Sequence, residues 1–136
     1  MDFKRLIDEI EKNTHCKVES TGNEENVEYT LTFKVDEDRK QDLVIYPFVE
    51  EGKEMVRIIS GVGHKSDFST NKLISFLELN MSLRHGAFAI YQGQVVLVAT
   101  INYSNMMDVN RVSGQLHYLT KMADTFERTL VGLDRK

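Results

Sequence analysis

The chain has 136 residues and a formal net charge of −4; hydrophobic residues make up 41% of it and charged residues 28%. This length fits one domain over residues 1–136, and the composition is too apolar for a disordered chain. The single cysteine, Cys16, excludes an intramolecular disulfide and favours a reducing, cytoplasmic location.

Neither a membrane nor a nucleic acid is an expected partner. The first residues mix acids with apolar side chains, unlike a signal peptide, and the longest nearly uncharged stretch, residues 87–101, is too short to span a bilayer. Residues 1–67 hold 16 acids and 10 bases, whereas residues 68–136 hold 5 acids and 7 bases. Nucleic-acid binding needs clustered Lys and Arg, and the sequence has no such cluster.

The first two predicted elements differ in the period of their apolar residues. An N-terminal helix ends near Asn13 and Thr14, and its apolar stripe consists of Phe3, Leu6, Ile7 and Ile10. A half-buried strand follows, in which apolar residues alternate with polar ones; its inward residues are Val27, Tyr29, Leu31, Phe33 and Val35. The short run of residues 16–20 is a further candidate strand, which would pair with the start of this one.

Two apolar strands, residues 43–49 and 55–59, are predicted around a turn whose Gly52 takes the left-handed conformation. Pro47 cannot donate a hydrogen bond to a ladder, so we expect its strand to lie at a sheet edge or to be bulged there. Residues 60–66 are predicted as a loop that leads into the second helix.

The second helix is expected to begin at a cap formed by Asp67 or Ser69. Its apolar residues on one side are Leu73, Ile74, Leu77 and Met81. A hairpin follows, with strands over residues 87–91 and 95–101 around Gly93.

The last helix is predicted from a cap at Asp108 to a stop before Gly132. Its stripe has alternating spacings of three and four residues and consists of Val109, Val112, Leu116, Leu119, Ala123, Phe126 and Leu130. The positions beside the stripe are nearly uncharged, which favours intramolecular burial over a coiled coil. Gly114 lies inside this helix, so we expect close packing, or a later helix start, to offset its cost.

The element order is therefore α-β-β-β-(β)-α-β-β-α. Short links between strands are typical of antiparallel hairpins rather than of crossover connections. We predict an α+β fold with a mostly antiparallel sheet and three helices.

The second half of the chain resembles the YbjN family, which belongs to the group sharing the type III secretion chaperone fold. The resemblance rests on residues 73–80 (LISFLELN), 86–90 (GAFAI), 94–100 (QVVLVAT) and 122–127 (MADTFE), together with Leu130 and Gly132. It implies a non-enzymatic, often dimeric, protein-binding or regulatory domain. The family offers no invariant catalytic set to transfer to this chain.

No catalytic, cofactor-binding or metal-binding residues are predicted. The histidines have no zinc-ligand spacing and Cys16 has no partner thiol; they are His15, His64, His85 and His117. Gly61 and Gly63 before a helix could suggest an anion loop beside Lys65, but the phosphate-binding patterns are absent. Ser60 lacks the first glycine of a nucleophile elbow. We therefore expect a protein that is not an enzyme, although a hydrolase or transferase with an unfamiliar site stays a third possibility.

The most informative feature is an excess of apolar strand surface, because residues 43–49 and 95–101 are apolar on both faces. Either the helices divide between the two faces of the sheet, or a second subunit or client protein covers one face. The candidate partner-binding residues are Val44, Tyr46, Phe48, Val96 and Val98. We therefore expect a homodimer that binds a client protein, with dimerisation through the strands or the second helix. The alternative is a regulatory domain whose apolar pocket senses a small molecule.

Overall fold

The computed structural model of the chain describes residues 2–106 and 108–128. Its helices and strands in chain order are α1 (Phe3–Thr14), β1 (Lys17–Ser20), β2 (Tyr29–Asp36), β3 (Arg39–Glu50), β4 (Lys53–His64), α2 (Thr70–Leu79), β5 (Ala87–Tyr91), β6 (Gln94–Asn102) and α3 (Val109–Phe126). The predicted α+β order is thus confirmed, including the short strand β1.

The six strands form one antiparallel sheet in the order β1-β2-β3-β4-β6-β5. Strands that follow one another along the chain form hairpins, except β4 and β5, which are connected through α2. Consequently β3, β4 and β6 occupy the middle of the sheet, and β1 and β5 form its edges.

Helices α1 and α3 pack on one face of the sheet and bury its largest apolar cluster. The predicted stripe of α1 is buried, as are the central residues of α3, Val112, Leu116, Leu119 and Ala123. They meet strand residues that include Leu31, Phe33, Leu43, Ile45, Val56, Ile58 and Leu97. The expectation that α3 is intramolecular core is met over its described length; Leu130 and Gly132 lie outside the described residues.

The alternation in β2 points Leu31 and Phe33 into the core, with Tyr29 and Val35 half-buried. Val27 was predicted in the same strand, but β2 begins only at Tyr29 and Val27 is 38% exposed. The difference arises because β1 also ends there, at the pair between Ser20 and Tyr29, so no partner strand extends to Val27.

Strand β4 is longer than predicted, because residues 60–64 continue the strand instead of starting a loop. Ser60 and Gly61 pair with Leu97 and Val96 of β6, and a bulge between Gly61 and Gly63 shifts the register. The buried Gln41 side chain donates to the Gly61 carbonyl at 2.8 Å and holds this irregular backbone. The two glycines therefore belong to a bulged strand and do not form an anion-binding loop.

Pro47 lies in β3, an interior strand, and not in an edge strand. It pairs with Val56 of β4, but the ladder with β2 ends at the pair between Tyr29 and Ile45. Beyond Ile45, strand β3 has no paired neighbour on the β2 side, so Pro47 lies where its strand is locally an edge.

Substitution by alanine is expected to change the free energy of unfolding in opposite directions at Gly114, inside α3, and at Gly86, which lies against α3. Gly114 lies inside α3, where an added Cβ has no neighbour within 4 Å, so close packing does not offset its cost. Gly114→Ala should raise the free energy of unfolding by about 0.5–1 kcal/mol, because alanine loses less backbone entropy on folding. Gly86 has φ +75° and its added Cβ would lie 2.8 Å from Leu119 Cδ2. Gly86→Ala should therefore destabilise by more than about 1 kcal/mol; urea denaturation measures both, and shifts of the same sign would contradict the assignment.

Leu119 tests the intramolecular role of α3, because its side chain is fully buried against the sheet. Leu119→Asp should cost roughly 5 kcal/mol, comparable to the whole stability of a domain, and unfold the protein. The same charge at the exposed Val49 of β3, Val49→Asp, is the control and should leave both the fold and the molecular mass intact. Circular dichroism and light scattering measure the outcome, and a cooperatively folded Leu119→Asp monomer would contradict it.

Candidate functional site

One face of the sheet carries apolar side chains that no described helix covers. Paired residues of an antiparallel ladder point to the same face. Val44 pairs with Ile59, and Ile59 pairs with Val98, on the face opposite α1 and α3. We call this surface the open face. Within residues 2–106 and 108–128, six apolar side chains of this face lie outside the helix-packed core cluster. Ile59 and Val96 are buried within the face, whereas the half-buried members are Val44, Tyr46, Phe48 and Val98.

All five candidate residues from the sequence lie on the open face. Val44, Tyr46 and Val96 line one shallow cavity of about 560 Å³. Phe48 lies one step further along β3, with its ring centroid 6.3 Å from that of Tyr46, and Val98 extends the surface along β6. The sheet thus joins residues that are about 50 positions apart in the sequence.

Sequence reasoning missed two members of this surface, Ile59 and Tyr91, which also line the cavity. The signal for Ile59 was present, because residues 55–59 are apolar on nearly every position. Tyr91 gave no signal, because its contribution depends on the pairing of β5 with β6, which places it beside Gln94.

Charged residues of both signs border the open face. The Arg57 guanidinium lies 4.6 Å from the centroid of the Phe48 ring, and its Nε donates to Thr100 Oγ1 at 3.2 Å. Glu28 and Asp42 are among the residues that line the cavity, and their carboxylates accept hydrogen bonds from Thr21 and Thr32, respectively. Glu28 precedes Tyr29, which pairs with Ile45, whereas Asp42 pairs with Thr32, so the two acidic residues do not share one end of the face.

A second apolar surface lies where α2 meets the edge strand β5. The predicted stripe of α2 does lie on one side of the helix, but Ile74, Leu77 and Met81 are 48%, 65% and 92% exposed. Ile90 of β5 is 57% exposed beside them. We call this surface the α2–β5 groove, and its described lining is almost entirely apolar.

Aromatic packing explains why α2 exposes this stripe. Phe76 is the buried residue of the helix, and its ring centroid lies 5.1 Å from that of Phe68 and 4.7 Å from that of Phe88. Phe126 of α3 completes the cluster, 5.0 Å from Phe88. Because the helix turns Phe76 inward, Leu77 and Ile74, about 100° and about 160° around the helix axis from it, face outward.

The free edge of β5 is closed at its centre by a side chain. Asn80, directly after α2, accepts a hydrogen bond from the Phe88 amide at 2.6 Å and donates to the Phe88 carbonyl at 3.4 Å. These are the backbone groups that an added strand would use, so Asn80 hinders strand addition there. The α2–β5 groove accordingly presents side chains rather than an open ladder.

Cys16 is buried, and His64, His85 and His117 each contact a nearby side chain. Burial raises the pKa of the Cys16 thiol, the opposite of what a nucleophilic cysteine requires. His117 packs on Phe33, His85 packs on Tyr118, and His64 contacts the nearby Ser66. Among the described residues, no three His, Cys, Asp or Glu side chains converge as metal ligands.

No helix in the described part of the chain is both long enough and apolar enough to cross a membrane.

No protein-family model matches the sequence, and a search of curated proteins finds no match. Among solved structures, the chain is similar to a chain in the structure of the HopA1-SchA chaperone-effector complex, with a TM-score of 0.64 over 93% of this chain and 94% of that chain. The two are 11% identical in sequence, so the likeness is one of fold. The predicted chaperone-like α+β fold is therefore confirmed, whereas membership of the YbjN family stays a prediction.

Proposed function

We propose that residues 1–136 form one chaperone-like domain of the YbjN kind, which binds a client protein without catalysis and acts as a cytoplasmic homodimer. The observation that carries the proposal is the open face, an apolar surface in the middle of the sheet that no described helix covers. The fold is shared with a chain of a chaperone-effector complex, which supports a client protein as the occupant.

The energetic argument for an occupant starts from the side chains of the open face. Full burial of a Val, Ile or Phe side chain contributes about 1.5–3 kcal/mol relative to full exposure. Val44, Tyr46, Phe48 and Val98 are only half-buried, so a partner that covers them adds a fraction of that value for each. A contiguous surface of this kind is typical of a protein interaction site.

Client binding is tested by comparing capture by the wild-type protein with capture by open-face variants. Val44→Gln and Val98→Gln place neutral polar groups on the open face and leave the helix-packed core unchanged. A protein that co-purifies with the wild type should be identified, expressed and titrated against each form by calorimetry. We expect a stoichiometric complex that weakens by at least about tenfold in the variants.

The matched control is Val49→Gln, a change of the same residue type at an exposed position at the end of β3. It should leave the affinity unchanged. A client that binds all forms equally would contradict the open face as the binding surface, and the lack of any stoichiometric client would contradict the proposed function.

The homodimer is assigned to the α2–β5 groove. Its exposed side chains come from a helix and an adjacent strand, and Asn80 already occupies the edge of β5 at Phe88. Two copies would therefore meet through Ile74, Leu77 and Met81 rather than through a continuous sheet. A twofold arrangement is favoured because the same apolar patch on each copy then covers the other.

Leu77→Asp should convert the dimer into a monomer, because a charge replaces an apolar contact at the centre of the groove. Analytical ultracentrifugation should change from twice the chain mass of 15.7 kDa to that mass. Val49→Asp introduces the same charge at an exposed residue away from the groove and should leave the dimer intact. A wild-type monomer, or a dimer that survives Leu77→Asp, would contradict this interface.

The alternative function, sensing of a small molecule, would use the apolar lining of the α2–β5 groove. The cavity there is about 150 Å³, smaller than the roughly 300 Å³ at which ligand pockets usually begin. A ligand that raises the melting temperature in the absence of any protein partner would favour this alternative.

A further inference from the structure

We infer that the end of β6 receives an extended segment of the client as an added strand. We call residues 99–102 of β6, where this strand would pair, the β6 edge. This inference rests on the proposed function, because it names how part of the client that covers the open face is held. It follows from a gap in the sheet beside β6 and from the cavity that adjoins the gap.

Strand β5 covers only part of β6. The ladder between them begins at the pair of Ala87 and Val98, and within residues 2–106 and 108–128 no strand pairs with β6 beyond Val98 on that side. The chain bends just before β5, because Gly86 takes φ +75°, and an added Cβ there would lie 2.8 Å from Leu119 Cδ2 of α3. The last residues of β6 therefore form an edge, although β6 is an interior strand.

The backbone of Thr100 points into this gap. The turn between β5 and β6 has two residues, both with positive φ, so the flanking pair of Tyr91 and Gln94 exchanges hydrogen bonds. Every second residue of β6 from Gln94 onward has its amide and carbonyl on the β5 side, and Thr100 is one of them. Because β4 pairs with β6 from the opposite side, the amide and carbonyl of Thr100 are available to an added strand.

The β6 edge lacks the protection that other edges of the sheet carry. Asn80 blocks the middle of β5, and Pro47 lies where β3 is locally an edge. The outer strand β1 is only four residues long and carries Lys17 and Glu19. Short edge strands, charges, proline and covering groups hinder strand addition. Residues 99–102 (ATIN) contain neither a charge nor a proline, so this edge is suited to pairing with an extended segment.

A cavity beside the gap can hold side chains of the added strand. It measures about 450 Å³ and is lined by Ala99 and Ile101 of β6 and by Leu119 of α3. Polar side chains also line it; they are Arg84, His85, Thr100 and Gln115. Ala99 and Ile101 are half-buried and pack against the core, on the face opposite the Thr100 side chain. Side chains alternate along the added strand too, so the neighbours of the residue paired with Thr100 would enter this cavity, where an apolar group packs best on the β6 side chains.

A segment of the client fits the β6 edge better than a second copy of the chain does. Val98 belongs to the open face and also lines the cavity, so a client that covers the open face extends directly to the edge. Thr100 pairs with Arg57, on the open face, so alternate residues of the added strand would continue that face. The proposed dimer instead uses the α2–β5 groove.

The probe is a library of random twelve-residue peptides, displayed on beads and selected on the wild-type protein. Thr100→Pro removes the amide that faces the gap and leaves the ladder with β4 intact. Thr100→Val is the matched control, because both changes remove the Oγ1 that accepts from Arg57 but valine keeps the amide. Val44→Gln reports separately on the open face, and circular dichroism verifies the fold of each variant.

We expect the selected peptides to bind Thr100→Pro about tenfold more weakly than the wild type and to bind Thr100→Val with unchanged affinity, because only proline removes a backbone hydrogen bond to the added strand. N-methylation of successive residues of a selected peptide should weaken binding at every second position, since alternate amides of an added strand point away from β6.

Amide hydrogen exchange gives a readout that does not depend on the variants. In the free protein the Thr100 amide should exchange faster than the amides of Ala99 and Ile101, which face β4, and a bound peptide should slow it at least about tenfold.

Peptides that bind Thr100→Pro and the wild type equally, or that leave the exchange of the Thr100 amide unchanged, would overturn this inference; if Val44→Gln weakens them, the proposed function stands. Selection of no peptide would also overturn the inference, and the proposed function is then decided by the client titration.

Discussion

Helices α1 and α3 pack on one face of the sheet and leave the other face without a helix, and the rest of the structure depends on this arrangement. The three central strands are apolar on both faces, but α1 and α3 pack on the same face, and α2 packs at the β5 edge. Burial of one face provides the core, with residues such as Leu43, Ile58 and Leu97 fully enclosed. On the other face Ile59 and Val96 are buried, but Val44, Val98 and the rings of Tyr46 and Phe48 are only half-buried. The proposed binding function rests on this incompletely covered face.

Polar groups limit what can occupy the remaining surfaces. The amide of Asn80 takes the place of a strand at the middle of β5, which guards an otherwise uncharged edge against unspecific pairing. On the open face, Arg57, Glu28 and Asp42 place charges of both signs beside the apolar row. Charges at the rim of an apolar surface add specificity more than affinity, because they disfavour partners of the wrong sign.

At one end of the core, charged side chains form ion pairs with a buried carboxylate. Asp124 of α3 is nearly buried, yet its carboxylate receives Arg39 Nε at 3.4 Å and Arg128 Nε at 3.1 Å. This pairing ties the end of α3 to the start of β3 and satisfies a carboxylate that burial would otherwise destabilise. Within the described residues, every buried side-chain nitrogen and oxygen has a hydrogen-bond partner, as in most native cores.

The sequence by itself determined the elements whose causes are local. Periodicity placed the stripe of α1 and the alternation of β2. Capping patterns predicted the start of α3 at Asp108 and that of α2 at Asp67 or Ser69, of which Ser69 is the cap. The apolar residues on both faces of β3 and β6 also predicted that helices divide between the two faces or that a partner covers one of them. The five candidate residues lie on the open face, and their role in partner binding stays a prediction.

The tertiary structure alone decided which of two apolar surfaces is covered. In β3 both parities are apolar, so periodicity cannot distinguish core from open face; the position of α3 does. In α2 the inward residue Phe76 and the outward residue Leu77 are adjacent and equally apolar, and only the aromatic cluster with Phe88 fixes the rotation of the helix. The extension of β4 past Ser60 likewise follows from strand pairing, with β6. These features depend on contacts between distant segments, and a local pattern carries no information about such contacts.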